Sequence, residues 1–309
     1  MKPIALLALC LLPASAQTPF AGRWDFTVTP TGANAAPYPD WMELANGVMR
    51  IQPRSGSAFV VKDFKISGSH LTVQWPANNT VWELDAAGGK LTGVQKRGDA
   101  VTANLAGWRA PALERKTPAT WTRPERLFNG KDLTGWEPMG SAKSNWTVEN
   151  GELVNKDHGA NLRTAQRFDD FKLHIEFNCP DEGNSGIYLR GRYEVQIEYE
   201  KIDANDKFHS IGSIYSFIAP AVELPRTPGK WETFDITLVG RRLTVVRDGT
   251  KTIDNQEIPG PTGGALDADE AEPGPFYIQG DHTGGLRFRN ITIQVPAGTD
   301  MPVREKPAR

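Results

Sequence analysis

Residues 193–199 alternate polar side chains with aromatic and aliphatic ones, reading Tyr-Glu-Val-Gln-Ile-Glu-Tyr. Strict period-two alternation predicts a strand whose two faces differ. Glu194, Gln196 and Glu198 share one face, and such a row of carboxylates and carboxamide suits acid–base catalysis or the binding of a polar ligand. A solvated face of an antiparallel sheet is the ordinary alternative for this row.

The segment 171–177, Phe-Lys-Leu-His-Ile-Glu-Phe, repeats the pattern. It places Lys172, His174 and Glu176 on one face, while the apolar residues take the other. We expect the two strands to build a sheet that has one apolar face and one functional face. Glu176 is therefore a second catalytic candidate, whereas His174 could equally be a packed strand residue.

A third polar segment, residues 184–190, immediately precedes the first one and reads Asn-Ser-Gly-Ile-Tyr-Leu-Arg. If Tyr188 and Arg190 lie on the concave face, a guanidinium converges there with the carboxylates. Arg190 is then a catalytic candidate, because a guanidinium offers a planar hydrogen-bond fork to ligand oxygens. Asn184 and Tyr188 are candidates for ligand binding. The alternative for Arg190 is a structural salt bridge to one of the nearby carboxylates.

Gln279, Asp281 and His282 lie where a predicted strand ends in a glycine-rich turn, and strand ends beside loops are common binding positions. The ordinary pKa of histidine suits proton transfer near neutral pH. His282 is therefore a catalytic candidate, and Gln279 and Asp281 are candidates for ligand binding. The alternative is that Asp281 caps the turn and His282 is merely exposed.

Three more side chains are candidates for ligand contact. Arg287 and Arg289 flank Phe288, so alternation points both of them away from the apolar face. One could reach the cleft while the other pairs with a carboxylate. Tyr215, in a long loop rich in proline and glycine, could stack on a ligand ring.

The composition indicates which elements position these residues. A chain of 309 residues is long enough for two domains. Its 30 glycines, 23 prolines and nine tryptophans favour short strands and turns over helices. The net charge of -2 gives no basic field, which argues against nucleic acid and anionic membranes as partners.

Residues 1–16 resemble a secretory signal peptide, with a positive residue, an apolar stretch and the small-residue cleavage signal Ala14-Ser-Ala16. We expect cleavage near Ala16 and a periplasmic or secreted protein. A lipoprotein anchor at Cys10 is the alternative. The rest of the chain has no apolar run of about 18 residues, so no membrane span is predicted.

Residues 17–115 contain short alternating segments separated by glycine-containing turns, which predicts a small antiparallel β-barrel or sandwich. The opening Phe-x-Gly-x-Trp is similar to that of lipocalin-like barrels. Trp24, Trp75 and Trp82 could line a ligand cup, although core packing is the ordinary role of buried tryptophan. Residues 116–125 are interpreted as a linker.

Residues 126–296 form the second predicted domain. Their longer alternating segments, separated by turn signals such as Asp248-Gly249, predict two packed antiparallel sheets in a jelly roll. Residues 297–309 are interpreted as a tail.

Seven blocks of this second domain occur in a recognisable order. They include Leu127-Phe-Asn-Gly-Lys-Asp-Leu-Thr-Gly-Trp136 and Gly183-Asn-Ser-Gly-Ile-Tyr-Leu-Arg190, and the others are residues 146–153, 171–177, 193–197, 229–232 and 280–291. Together they resemble the 3-keto-disaccharide hydrolase family over about residues 125–295. The first domain lies outside this resemblance.

The resemblance implies an all-β fold with a concanavalin A-like jelly roll, and an enzyme that acts on sugars oxidised at C3. A C3 ketone acidifies the hydrogen on C2, so a base can remove it, and β-elimination then breaks the C1–O bond. Addition of water completes a net hydrolysis. Such an enzyme needs a base, a proton donor for the leaving oxygen and hydrogen-bond donors for the enolate oxygen. The candidates for these roles are Glu194, Arg190, Glu176 and His282.

The same resemblance implies a carbohydrate substrate, and a separate flavin or nicotinamide oxidoreductase as the source of the keto sugar. The sequence shows no cofactor fingerprint, so no cofactor is predicted. Calcium stays possible, because Asp181-Glu182 and residues 267–270 offer oxygen ligands of the type that calcium prefers. Solvated acidic turns are the ordinary alternative. Cys179, the cysteine left after signal cleavage, is either a nucleophile or a buried thiol.

Two other functions stay open at this point. A jelly roll can be a noncatalytic carbohydrate-binding protein, because a fold does not determine a function. A conventional glycosidase acting on unoxidised glucan is the second alternative. This alternative is disfavoured because the Glu-x-Asp-x-x-Glu pattern of laminarinase-type enzymes is absent. The strand reads Glu-x-Gln-x-Glu at 194–198 instead.

Overall fold

The computed structural model describes residues 18–299, apart from Asn34, residues 76–78 and residues 202–205. The predicted signal peptide and nearly all of the predicted tail lie outside the described residues. Within them the regular structure consists of β strands and one turn of 3-10 helix, Lys207–His209. None of the helical structure described is long and apolar enough to cross a membrane.

Nine antiparallel strands form an N-terminal barrel of the up-and-down type. Each strand pairs with its neighbours in the chain, and the last pairs with the first, so a single seam stays open between the fourth and fifth strands. The strands are β1 (Gly22–Pro30), β2 (Tyr38–Ala45), β3 (Val48–Gln52), β4 (Phe59–Val61), β5 (Phe64–Ser67), β6 (His70–Gln74), β7 (Thr80–Ala87), β8 (Lys90–Arg97) and β9 (Ala100–Arg109).

Apolar residues fill the interior of the barrel. Trp24 and Trp82 are fully buried in its core with Phe26, whose ring centroid lies 5.2 Å from that of Trp82. These two tryptophans therefore have a packing role and do not line a ligand cup. Trp75 differs from them, because it is only partly buried and lies at one end of the barrel.

The second half of the described chain is a concanavalin A-like jelly roll built from two antiparallel sheets. The larger sheet has the order β12-β13-β22-β15-β18-β19-β20, with β10 beside β22, and the smaller has the order β11-β14-β21-β16-β17. The strands are β10 (Glu125–Arg126), β11 (Trp136–Pro138), β12 (Trp146–Glu149), β13 (Glu152–Asn155), β14 (Leu162–Thr164), β15 (Phe171–Asn178), β16 (Asn184–Leu189), β17 (Tyr193–Glu198), β18 (Trp231–Val239), β19 (Arg242–Arg247), β20 (Thr250–Glu257), β21 (Tyr277–Ile278) and β22 (Leu286–Gln294).

Alternation within β17 produces the two faces that the sequence predicts. Tyr193, Val195 and Ile197 are fully buried in the core between the sheets. The polar residues of the strand therefore point to the outer side of the smaller sheet.

The expectation that β15 and β17 share one sheet is wrong. β15 lies in the larger sheet, between β18 and β22. Its apolar residues enter the same core from the opposite side, so Lys172, His174 and Glu176 point out of the other face of the sandwich. His174 is bonded there to Asp235 at 2.7 Å. Alternation tells which side of its own strand a residue occupies, but not which sheet the strand joins.

The barrel packs directly against the jelly roll. The Trp41 indole N–H of β2 donates to the Pro261 carbonyl at 2.8 Å. Arg23 of β1 forms an ion pair with Glu270, and both side chains are almost completely buried. Arg23 also pairs with Asp25 at 3.3 Å, and Glu270 also pairs with Arg241 at 3.4 Å. The barrel is thus fixed by a buried network of charges, whose separation would cost electrostatic energy.

Candidate active site

A cavity of about 450 Å³ opens on the outer face of the smaller jelly-roll sheet, where the barrel meets it. Most of the predicted site residues line it: Asn184, Tyr188, Glu194, Gln196, Glu198, Tyr215, Gln279, Asp281 and His282. The lining residues that were not predicted are Ser55, Gly56, Glu200, His209, Gly263 and Gly264.

The floor of the cavity is the β16–β17 hairpin. Tyr188 pairs with Glu194 across the two strands, and Gly186 pairs with Gln196. A side chain at position 186 would collide with the carboxylate, because an added Cβ would lie 2.8 Å from Cγ and 2.9 Å from Cδ of Glu194. The glycine thus leaves the space that the Glu194 carboxylate occupies.

Glu194 is the most perturbed acid of the cavity. Its side chain is 3% exposed, and this burial raises its pKa to about 8. The hydrogen bond from the Tyr188 hydroxyl to Oε2, 2.7 Å long, and the nearby charge of His282 oppose the shift only in part. A carboxyl group with such a pKa can exchange a proton near neutral pH, which an ordinary surface glutamate cannot do.

The Tyr188 hydroxyl can form a hydrogen bond with Glu194 whether the carboxyl group is ionised or protonated. Besides its bond to Glu194, the hydroxyl oxygen lies 2.9 Å from the Gly263 carbonyl. When Glu194 is ionised, Tyr188 donates to it. When Glu194 is protonated, the acid can donate to the hydroxyl, which then donates to Gly263. Burial raises the pKa of Tyr188 well above 10, so the phenol stays neutral.

His282 faces Glu194 from the edge of the cavity and is about half-exposed. Its Nδ1 lies 3.1 Å from the Asp281 carboxylate. The hydrogen bond to Asp281 raises the pKa of His282, against the effect of burial. His282 therefore carries a proton over a wider pH range than an ordinary histidine, and it is placed to donate one.

The carboxamides of Gln196 and Gln279 line the same cavity. Gln196 donates to Oε2 of Glu198 at 2.5 Å, and burial raises the pKa of Glu198. The Oε1 atoms of Gln196 and Gln279 are buried and have no hydrogen-bond partner among the described residues. A buried carbonyl without a donor is costly, so hydroxyl groups of a ligand would complete this site.

His209 is a cavity residue that the sequence did not indicate. Its Nδ1 contacts Asp206, its Nε2 lies 3.0 Å from the Ser57 hydroxyl, and its ring centroid is 4.6 Å from that of Tyr215. It lies on the 3-10 turn of a long loop. No periodicity marks such a loop, so sequence patterns gave no signal for it.

Arg190 does not reach the cavity, contrary to the prediction. Its guanidinium is buried and donates to Asp169 at 3.1 Å, to the Tyr193 hydroxyl at 3.1 Å and to the Gly240 carbonyl at 2.8 Å. β16 ends at Leu189, and Arg190 has a φ of 51° in the turn that follows. Strand alternation no longer applies there, so the side chain turns away from Tyr188.

Three other predicted site residues lie on the outer face of the larger sheet. Arg289 donates to Glu176 at 2.6 Å, and Arg287 donates to Glu152 at 2.6 Å. They form structural ion pairs away from the cavity. The described residues that line the cavity therefore include no arginine or lysine, and their basic side chains are His209 and His282.

The segments considered for calcium are occupied by other contacts. Asp267 accepts from Arg192 at 2.8 Å, and Glu182 pairs with Lys201 at 3.1 Å. Within the described residues, no cluster of three or more histidine, cysteine or acidic side chains is arranged to hold a metal. Burial raises the pKa of Cys179 to about 12, so this thiol is not a nucleophile near neutral pH.

Comparison with known proteins places the jelly roll in a family. Residues 123–294 match the family described as a 3-keto-alpha-glucoside-1,2-lyase-like domain. The 3-keto-disaccharide hydrolase of Bacteroides thetaiotaomicron is 28% identical over 96 residues, which cover 28% of this chain and 32% of that protein. The chain thus spans about a third of the length of this curated relative.

Solved structures also resemble the chain. A protein of Parabacteroides distasonis, provisionally named a glycosyl hydrolase, is 28% identical, with a TM-score of 0.48 over 58% of this chain and 92% of its own. The carbohydrate-binding module CBM66 of Bacillus subtilis is 16% identical, with a TM-score of 0.35 over 54% of this chain and 99% of its own.

Proposed function

The chain belongs to the family of 3-keto-alpha-glucoside-1,2-lyase-like domains, and we propose that it cleaves 3-keto-glycosides by proton abstraction at C2 and β-elimination. The observation that carries this proposal is the pair formed by Glu194 and His282. A buried carboxyl group whose pKa is raised to about 8 faces an imidazole whose pKa is also raised, in a cavity of about 450 Å³.

The proposed reaction has two steps. A base takes the proton from C2, and the electrons of that C–H bond form an enolate whose negative charge lies on the C3 oxygen. The enolate then collapses, C1 and C2 become doubly bonded, and the C1–O bond breaks as the leaving oxygen takes a proton. Addition of water across the new double bond gives the free 3-keto sugar and completes a hydrolysis.

The cavity supplies a group for each step. Glu194 acts as the base, because a raised pKa makes its carboxylate a stronger proton acceptor than an ordinary glutamate. His282, held protonated by Asp281, donates to the leaving oxygen. The carboxamides of Asn184 and Gln279 replace Arg190 as candidate donors to the enolate oxygen. Tyr188 holds the Glu194 side chain in place by a hydrogen bond in both of its protonation states.

The arrangement argues against a conventional glycosidase. That mechanism needs two carboxyl groups about 5–9.5 Å apart. Glu194 and Glu198 are four residues apart on one strand, which separates their Cα atoms by about 13 Å. Gln196 lies between them and is bonded to Glu198. Glu194, whose pKa is raised to about 8, faces a histidine whose pKa is also raised, and this pair suits elimination better than displacement.

The test is a time course with a 3-keto-glucoside that carries a chromogenic leaving group, run beside the matching unoxidised glucoside. We expect release from the keto substrate only, and a fall of about 10²–10⁴-fold in kcat for Glu194→Gln. Glu176→Gln is the matched control, because Glu176 is bonded to Arg289 on the other face of the sandwich. Full turnover by Glu194→Gln would remove Glu194 from the mechanism, and release from the unoxidised glucoside would refute the elimination.

The proposed pathway needs a supplier of keto sugar. The C3 ketone arises by oxidation of a sugar hydroxyl, and the partner we propose is a separate sugar 3-oxidoreductase. The proposed signal peptide would place this chain in the periplasm or outside the cell, where it would meet an oxidised glycoside.

A further inference from the structure

The connection between β3 and β4 extends from the barrel over the edge of the active-site cavity. This barrel loop comprises residues 53–58. The Gly264 N–H donates to the Arg54 carbonyl at 2.9 Å, and the Ser57 hydroxyl lies 3.0 Å from Nε2 of His209. The loop is thus bonded to two separate parts of the jelly roll, and it forms a fixed wall of the cavity.

A second cavity, of about 240 Å³, lies on the barrel side of this wall. This mouth cavity is lined by residues that include Asp40, Arg54, Trp75, Gln95 and Arg97. Ser55 lines both it and the active-site cavity. Its volume exceeds what a few water molecules need, because one water takes about 30 Å³ in the liquid. The two cavities therefore adjoin across a single residue of the barrel loop.

The mouth cavity contains one carboxyl oxygen and one indole N–H that have no hydrogen-bond partner among the described residues, although the Arg54 backbone does bond to the carboxyl group of Asp40. Asp40 is 3% exposed, and its Oδ1 has no partner among the described residues. The Trp75 indole N–H is likewise buried without a described partner. Buried polar atoms are nearly always bonded in native proteins, so these two atoms point to a ligand. Sugar hydroxyls both donate and accept, and they match such a pair.

We propose that the mouth cavity is a second subsite, which binds the leaving-group sugar of a 3-keto-disaccharide while the keto sugar lies against Glu194. This inference rests on the proposed function. In this arrangement the glycosidic bond passes over Ser55, which lines both cavities, and Arg97 contacts the leaving-group sugar from the rim of the mouth cavity. The barrel lies outside the residues that match the family, so it adds a binding surface that the matched domain lacks.

The test compares a 3-keto-disaccharide with a methyl 3-keto-glucoside, whose leaving group is too short to reach the mouth cavity. We expect Arg97→Ala to lower the ratio of the two kcat/KM values about tenfold, through the KM for the disaccharide. Arg50→Ala is the matched control, since Arg50 is 57% exposed on the barrel and pairs with Glu43 instead. An Arg97→Ala ratio equal to that of wild type and Arg50→Ala would overturn the subsite while leaving the proposed function intact.

A binding measurement decides the proposal even if no keto substrate is cleaved. Free glucose is titrated into the full-length wild-type protein and into both variants, and saturation-transfer NMR reports its binding. We expect binding to the wild type and to Arg50→Ala, with at least a fivefold weaker affinity for Arg97→Ala. Equal binding to all three proteins, or binding to none, contradicts the subsite. Absence of cleavage by the wild type contradicts the proposed function instead.

Discussion

In the proposed mechanism Glu194 gains and loses a proton in a place where it is almost completely buried, and this would set the pH dependence of activity. As the base, it must be ionised, and with a pKa of about 8 only about a tenth of it is ionised at pH 7. His282 must be protonated, and its pKa lies above the ordinary 6.5. We therefore expect kcat/KM for the chromogenic 3-keto-glucoside to rise with pH through about 8 and to fall once His282 loses its proton.

The measurement is a pH–rate profile from pH 5 to 10, whose two limbs report macroscopic pKa values of the coupled pair. His282→Gln should lose the falling limb at high pH and keep the rising one. A profile for the wild type that declines steadily from pH 5 would exclude Glu194 as the base.

The same burial makes a prediction about stability. Because the pKa of Glu194 in the folded protein exceeds its ordinary value of 4.5, the folded state holds this proton more tightly than the unfolded chain. The free energy of unfolding therefore decreases as pH rises from about 4.5 to 8. Glu194→Gln lacks this titration, so its stability relative to wild type should increase over that range, by up to about 1.4 kcal/mol per unit of pKa difference.

Urea unfolding at pH 5, 7 and 9 measures this difference. Glu176→Gln is the control, because the pKa of Glu176 is lowered, hydrogen bonds from Asn290 and Arg289 outweighing its burial. Its stability difference from wild type should stay constant above pH 5. A pH-independent difference for Glu194→Gln would mean that the carboxyl group is not perturbed by burial.

At the residue scale, the sequence predicted which side chains line the cavity better than it predicted how deeply they are buried. Alternation was sufficient to group Glu194 with Gln196 and Glu198, because a strand has only two faces. The raised pKa could not be predicted, since it depends on burial under loops that are distant in sequence. The prediction for Arg190 was wrong because its positive φ, just after the end of the strand, redirects its side chain. Alternation along a strand does not predict such a turn.

At the scale of elements, the β16–β17 hairpin controls how closely the backbone approaches the Glu194 carboxylate, the base of the proposed mechanism. We expect Gly186→Ala to fold but to lower kcat/KM by about 10²-fold, because a displacement of about 1 Å in a catalytic group has that effect. Gly32→Ala is the matched control, since an added Cβ at Gly32 meets nothing within 4 Å. The measurements are kcat/KM with the chromogenic 3-keto-glucoside, and Tm. Unchanged activity of Gly186→Ala would show that Glu194 tolerates displacement.

Strand assignment from sequence succeeded where sheet assignment failed. β15 and β17 show the same alternation, yet one joins the larger sheet and the other the smaller. Both bury an apolar face in the shared core, so their polar faces diverge. The alternation of either strand would fit either sheet, because both sheets bury one face in the same core. Only the pairing with strands distant in sequence determines which sheet a strand joins. Glu176 and Glu194 therefore looked equivalent in sequence although they lie on opposite sides of the sandwich.

At the scale of the whole molecule, the candidate active-site cavity is completed by a part of the chain that the family match does not include. Ser55 and Gly56 of the barrel line the same cavity as Glu194. The sequence predicted a small β unit at 17–115 and a possible ligand cup within it, but not its contribution to this cavity, because no local pattern records how two units pack together. The barrel loop holds its position only while the barrel stays docked on the jelly roll.

Glu270 is central to that docking. It is fully buried, accepts from the Tyr193 hydroxyl at 2.6 Å, and pairs with Arg23 of the barrel and with Arg241 at 3.4 Å. Glu270→Gln keeps the shape but leaves the two guanidiniums facing a neutral partner. We expect it to lower the free energy of unfolding by about 3 kcal/mol, as the loss of one partner of a buried ion pair does. The KM for a 3-keto-disaccharide should rise as the barrel loop loses its position.

Glu257→Gln is the matched control for this change. Glu257 pairs with the same Arg241 at 3.4 Å, but it is half-exposed, so its loss should cost less than about 1 kcal/mol. Urea unfolding at pH 7 gives both free energies, and substrate kinetics give KM. If Glu270→Gln matched Glu257→Gln in both measurements, the buried pair would not be what holds the barrel. If stability fell while KM stayed constant, the barrel loop would be held over the cavity by its own bonds to Gly264 and His209.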